Sequence, residues 1–155
     1  MKSKLLLSLI ALTLAGTAAA QVKPEDAIKF RQSGYTFMAW NMGKLKAMLV
    51  DKPETFNKDQ ALAAAKAIQG VANSGMGALY LPGTDKGTGW KETRVKPELF
   101  TDKEGVGKVA MAFNKEANEL AKVAESGDAA AMKAQFGKLG ESCKGCHDKF
   151  RKDEK

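Results

Sequence analysis

The chain has 155 residues and a formal charge of +7, a length suited to one domain around one core. The cations are spread along the sequence, without the aromatic-interleaved basic block of a nucleic-acid binder, so a solvated surface accounts for them. The apolar run from Leu5 to Leu14 falls far short of the roughly 20 residues a membrane-spanning helix needs, and no other segment approaches that length.

That run has another use. Lys2 and Lys4 precede it and Ala18-Ala19-Ala20 follows it, the three parts of a cleavable export signal. Cleavage after Ala20 leaves residues 21–155 as the exported, soluble domain, with the periplasm as its destination. A retained anchor fits the small-residue cleavage site less well.

Four segments carry helical periodicity, and none of useful length alternates as a strand does. The first opens at Lys23-Pro24-Glu25-Asp26, proline and acids suited to a first turn. Its seam, Ile28, Arg31, Tyr35, Met38, Met42, Leu45 and Leu49, steps alternately by three and four, the spacing of a helix packed in a bundle. Asp51-Lys52-Pro53 ends it, because proline disfavours helix at the preceding residue. The second segment starts at Asn57 as cap, runs on Leu62, Ala65, Ile68 and Ala72, and weakens at Asn73, Gly75 and Gly77.

Leu81 to Phe100, with Pro82-Gly83, Gly87, Gly89 and Pro97, reads as a long connection. A loop of about 20 residues in a compact domain usually has a purpose, and wrapping one edge of a cofactor is such a purpose. Thr101-Asp102-Lys103-Glu104 then has the form of a capping box for the third helix. Its stripe is Val106, Val109 or Ala110, Phe113, Ala117, Leu120 and Ala124. Gly127 ends it and Asp128 caps the fourth, whose stripe is Met132, Phe136, Leu139, Cys143, Cys146 and Phe150. Short 1–2 and 3–4 connections predict antiparallel hairpins. The expected fold is therefore all-α, an antiparallel up-down-up-down four-helix bundle.

The chemistry concentrates at Cys143-Lys144-Gly145-Cys146-His147, which holds both cysteines and the only histidine of the chain. A thiol–disulfide active site places its pair at the start of a helix in a βαβ setting, which is absent here. A zinc site lacks a fourth Cys or His ligand. C-x-x-C-H is the attachment pattern of c-type haem: two thiols three residues apart on one helical face form thioethers, and the next side chain reaches the iron. One haem c per chain is expected, on Cys143 and Cys146, with His147 as metal ligand. Without a second histidine, bis-His ligation within the chain is excluded. Met38, Met42, Met48, Met76, Met111 and Met132 remain as sixth ligands or as core filling; with none bound, the iron is five-coordinate.

Several stretches together resemble one family. They are K-P-E-D-A-I-K-F-R-Q-S at 23–33, L-P-G-T at 81–84, K-P-E-L-F at 96–100 and E-S-C-K-G-C-H-D-K-F-R at 141–151. The exported chain resembles the cytochromes c′ over essentially its whole length. The resemblance implies a pentacoordinate, high-spin haem with His147 as sole protein ligand. It also implies an apolar distal pocket that admits NO and CO, and a homodimer. It places Arg31 beside the haem, where a propionate would answer a charge that is costly in a bundle seam; the alternative is an arginine bridging helices. It places Tyr35 at the distal position, as shield or hydroxyl donor, Met38 on the border of the distal face, and Arg151 one turn beyond His147 against the proximal face. Several relatives have a tryptophan near Met76-Gly77; this chain has none there, and Trp90 partly compensates.

The resemblance implies a gas-binding and electron-transfer protein; an enzyme is not expected, since a peroxidase needs a distal acid–base pair and the chain has no second histidine. The alternative is a low-spin, Met/His-ligated electron carrier of the same bundle family; its electron donor or acceptor is unknown. Phe30, Phe37, Trp40 and Met48 extend the apolar character of the first helix beyond its seam, a second face suited to the same helix of a partner subunit.

Overall fold

The computed structural model describes residues 22–153. The export signal and its cleavage site at Ala20 lie outside the described residues. The first helix, α1 (Pro24–Lys46), starts as expected, with Pro24 in its first turn followed by Glu25 and Asp26. It does not stop cleanly. It widens into a π turn, Ala47–Asp51, closed by the Lys52 N–H donating to the Ala47 carbonyl at 2.8 Å. Pro53 takes Lys52 out of helical geometry, at φ −142°, and opens a short 3₁₀ turn, Pro53–Thr55.

Helix α2 (Lys58–Ala72) is capped by Asn57, whose Oδ1 accepts from the Gln60 N–H at 2.9 Å. A 3₁₀ turn, Met76–Leu79, follows, and the long connection carries a four-residue helix, α3 (Glu98–Thr101). Helix α4 (Lys103–Ser126) departs from expectation by one residue at its cap. Thr101 closes α3, its Oγ1 donating to the Glu98 carbonyl, so Asp102 takes over and accepts from the Gly105 N–H at 2.8 Å. Gly127, at φ +75°, makes the left-handed turn out of α4. Asp128 then accepts from the N–H groups of Ala130 and Ala131 to start α5 (Ala129–Phe150).

Helices α1, α2, α4 and α5 form the expected bundle, with α1 against α2, α2 against α4, and α4 against α5. The core lies in one half of it. There Leu45 of α1, Leu49 of the π turn, Ala61, Ala64, Ala65 and Ile68 of α2, Leu120 and Ala124 of α4, and Met132 and Leu139 of α5 pack together. The alanines of α2 and α4 bring those two helices close, so that the larger side chains interdigitate around them. Among the described residues, every buried side-chain nitrogen and oxygen has a hydrogen-bond partner, and no helix is long and apolar enough to cross a membrane.

Met48 departs from its expected place. It is buried in this core and does not belong to the outer face: three residues after Leu45, it lies beside the seam. Phe30, Phe37 and Trp40 do face outward, at 56%, 47% and 58% exposure.

A cleft between the helices, with C-x-x-C-H on one wall

The other half of the bundle is open. The middle of α1, the end of α2, the start of α4 and the end of α5 enclose a largely apolar cleft of about 1350 Å³. That exceeds the roughly 300–1,000 Å³ of a usual small-molecule pocket.

On α5, Cys143, Cys146 and His147 all line this cleft. The two thiols are half-buried and not joined to each other. Burial, and for Cys146 also the neighbouring Cys143, pushes both thiols above their ordinary pKa. Burial first, and then the cations Arg151 and Arg94, hold the His147 imidazole below its ordinary value, against an opposing pull from Asp148. The imidazole is thus neutral at pH 7, with a lone pair free for a metal. Arg151 ends α5, its N–H bonded to the His147 carbonyl at 3.0 Å, and it lines the cleft one turn beyond the histidine.

Across the cleft, α1 contributes Arg31, Tyr35 and Met38. Met38 is buried against the core. Tyr35 is 40% exposed and makes a 2.7 Å hydroxyl–hydroxyl bond to Tyr80. Burial pushes the Tyr35 phenol well above its usual pKa and raises that of Tyr80, so both are protonated at neutral pH.

Arg31 is only 2% exposed, and protein acceptors meet its charge. Its Nη1 donates to the Thr84 Oγ1 at 2.7 Å and to the Leu79 carbonyl at 3.3 Å. Its Nη2 donates to the Thr84 carbonyl at 2.5 Å and the Thr93 Oγ1 at 2.9 Å. Its guanidinium also stacks over the Tyr80 ring, 4.8 Å from the centroid. The buried seam charge is therefore bound to the long connection, a pairing that the spacing of the first helix does not reveal.

L-P-G-T shows how the connection presents these acceptors. Pro82 and Gly83 occupy the corner of a turn in which Gly83 has φ +82°, the conformation that demands glycine after proline. The turn closes with the Thr84 N–H on the Leu81 carbonyl at 3.1 Å. Further on, the chain crosses the end of α5: Val95 bridges Arg151, the Lys96 N–H donates to the Phe150 carbonyl at 2.9 Å, and the Lys152 N–H to the Arg94 carbonyl at 2.7 Å. Residues 81–96 thus form a strap from α1 to the C-terminal end of α5, and Trp90 to Val95 line the cleft beneath it.

Tyr80, Thr84 and Thr93 are the site residues that helical periodicity misses, since none lies on a helix. The signal available for the threonines was indirect: an arginine in an apolar seam demands buried acceptors.

The arrangement fits a large, planar, mostly apolar group tethered by two thiols and ligated by one imidazole. It does not fit a tetrahedral metal centre, because no three His, Cys, Asp or Glu side chains converge among the described residues. A helical bundle with C-x-x-C-H on its last helix, opening into such a cleft, defines a class of c-type haem proteins. The Cytochrome C′ family model matches residues 26–151. The cytochrome c′ of Rhodocyclus tenuis is 59% identical over 132 residues, covering 85% of this chain and 98% of that one. A cytochrome c′ structure described as having an unusual ligand-controlled dimer dissociation matches with a TM-score of 0.81 at 53% identity, over 86% of this chain and all of that one. The cytochrome c′ of Alcaligenes xylosoxidans, solved as the nitric oxide complex of a point variant, matches with a TM-score of 0.73 at 32% identity, over 85% of this chain and 98% of its own. The chain belongs to the cytochrome c′ family, whose members carry covalently bound haem c.

Proposed function

We propose that this protein is a periplasmic, pentacoordinate, high-spin haem protein that binds NO and CO on its distal side and passes single electrons. When bound, the haem supplies an iron that cycles between two oxidation states and accepts a diatomic ligand. Cys143 and Cys146 tether it, and the neutral His147 imidazole is its protein ligand. Arg31 holds the strap along one edge, Arg151 lies beside the proximal face, and Tyr35 and Met38 form part of the distal wall.

The observation that carries this reading is the asymmetry of the cleft. One wall presents the single imidazole of the chain, and the facing part of α1 presents Tyr35, already bonded to Tyr80. Four methionines also line the cleft, but Met38 is buried in the core, Met42 and Met76 pack against that core, and Met111 is exposed on α4. That weighs against the Met-ligated alternative. The nitric oxide complex of the Alcaligenes relative supports the choice of ligand.

A homodimer through α1 belongs to the same proposal. Phe30, Phe37 and Trp40 form a stripe opposite the seam, and Phe37 stacks on Trp40 at 5.7 Å. Trp90 joins the patch through its Nε1 bond to Ser33 Oγ at 2.8 Å. Such an exposed apolar group favours a partner surface, and the dimer reported for one relative agrees.

An optical spectrum of the ferrous holoprotein tests the central claim. A high-spin spectrum that changes on adding CO or NO is expected. Sharp low-spin bands without added ligand would overturn it. Sedimentation showing only monomer at micromolar concentration would remove the dimer.

A further inference from the structure

We propose that Tyr80 is a positioning residue that sets how readily the distal side opens, by holding the Tyr35 hydroxyl and tying it through Arg31 to the strap. The inference rests on the gas-binding reading above. It begins from a difference in how the two tyrosines are fixed.

The Tyr80 ring has little freedom. It lies under the Arg31 guanidinium, and that guanidinium is held by Thr84, Thr93 and the Leu79 carbonyl. The Tyr35 ring is not packed into the core and stands in the cleft, where its hydroxyl is bonded to Tyr80. Both tyrosines line the cleft together with Cys143, Cys146 and His147. Gly34, the residue before Tyr35, leaves room for the Met76 side chain against α1: a Cβ there would stand 2.5 Å from the Met76 Sδ. The 76–79 turn packs on α1 at this point, and Tyr80 follows it directly.

A ligand entering between α1 and α5 competes with Tyr35 for the same space. Moving Tyr35 aside breaks its bond to Tyr80, and a bond between neutral groups of ordinary net strength corresponds to roughly a two- to tenfold change in rate. Tyr80 thereby adds to the barrier for ligand entry without touching the ligand.

The test is CO association to the ferrous holoprotein in wild type, Tyr80→Phe, Tyr35→Phe and the double variant. Tyr80→Phe keeps the ring under Arg31 and removes only the hydroxyl. It is expected to speed CO association roughly two- to tenfold and to add nothing once Tyr35 is phenylalanine. The tyrosine bands in ultraviolet resonance Raman spectra of the ligand-free holoprotein should lose the signature of a bonded phenol pair in Tyr80→Phe. An unchanged CO rate overturns the proposal. So does an acceleration that persists in the Tyr35→Phe background, which would mean that Tyr80 acts by loosening the strap. A six-coordinate, low-spin wild-type ferrous spectrum defeats the gas-binding reading itself before any variant is made, and the gating role falls with it.

Discussion

The two halves of the bundle use the same four helices and are stabilised in different ways. In the closed half, alanines on α2 and α4 bring the helices together, and Leu45, Ile68, Leu120, Met132 and Leu139 fill the space between them. In the open half the helices stand apart around the cleft, and side chains do not fill the interior. Polar devices set the position of that half: the buried Arg31 gathers Leu79, Thr84 and Thr93, and the strap clamps the end of α5. A region that must admit a large group cannot be stabilised by filling it, so directional bonds at its rim take over. The closed half supplies stability, and the open half supplies placement.

Three substitutions would break or sharpen that contrast. Leu120 is fully buried in the closed half, and Leu120→Ala should lower the unfolding free energy by about 3–4 kcal/mol. Haem content and the ferrous spectrum should stay unchanged. Urea denaturation of the holoprotein measures this, and a spectral change would mean that the two halves are not separable. Arg31→Met should lower stability by about 2–3 kcal/mol, because it leaves the buried acceptors at Thr84 and Thr93 without their donor. Its distinctive mark is faster limited proteolysis within residues 84–95, where Leu120→Ala at matched stability shows none; equal cleavage in both would deny the strap its separate role.

The smallest effect lies where the start of α4 meets the end of α5: Asp102 accepts from the Lys149 Nζ at 2.6 Å and caps α4. The Lys149 bond first, and the Gly105 N–H second, hold its carboxyl below the usual range. A carboxyl depressed in the folded state adds stability that is complete above its unfolded value near 4 and disappears as the pH falls through its folded value. Wild type should therefore lose this small contribution below about pH 4. Asp102→Asn, which still caps the helix, should give a slightly flatter acid limb; superimposable acid denaturation curves would refute the prediction.

The fold was largely legible from residue spacing. Three-and-four steps on α1 and α5 located the seams, and Asn57, Gly127 and Asp128 marked helix ends, because periodicity and capping are local properties of the chain. Where two local signals competed, the reading slipped. Thr101 looked like the cap of α4 until α3 engaged its hydroxyl and passed the role to Asp102. Met48 looked like part of an outer face, yet it lies three residues after Leu45, beside the seam, and is buried in the core.

At the site, Cys143, Cys146 and His147 stood out because attachment chemistry constrains residue type and spacing within five positions. Arg31 stood out because a charge interrupts an apolar seam. The sequence by itself therefore determined the bundle, the attachment motif and the need for acceptors near Arg31. Tertiary structure decided which residues meet that need. Thr84 and Thr93 lie 53 and 62 residues beyond Arg31, and Tyr80 lies 45 beyond Tyr35. Such pairings depend on where a long connection crosses the bundle, and no helical period records that.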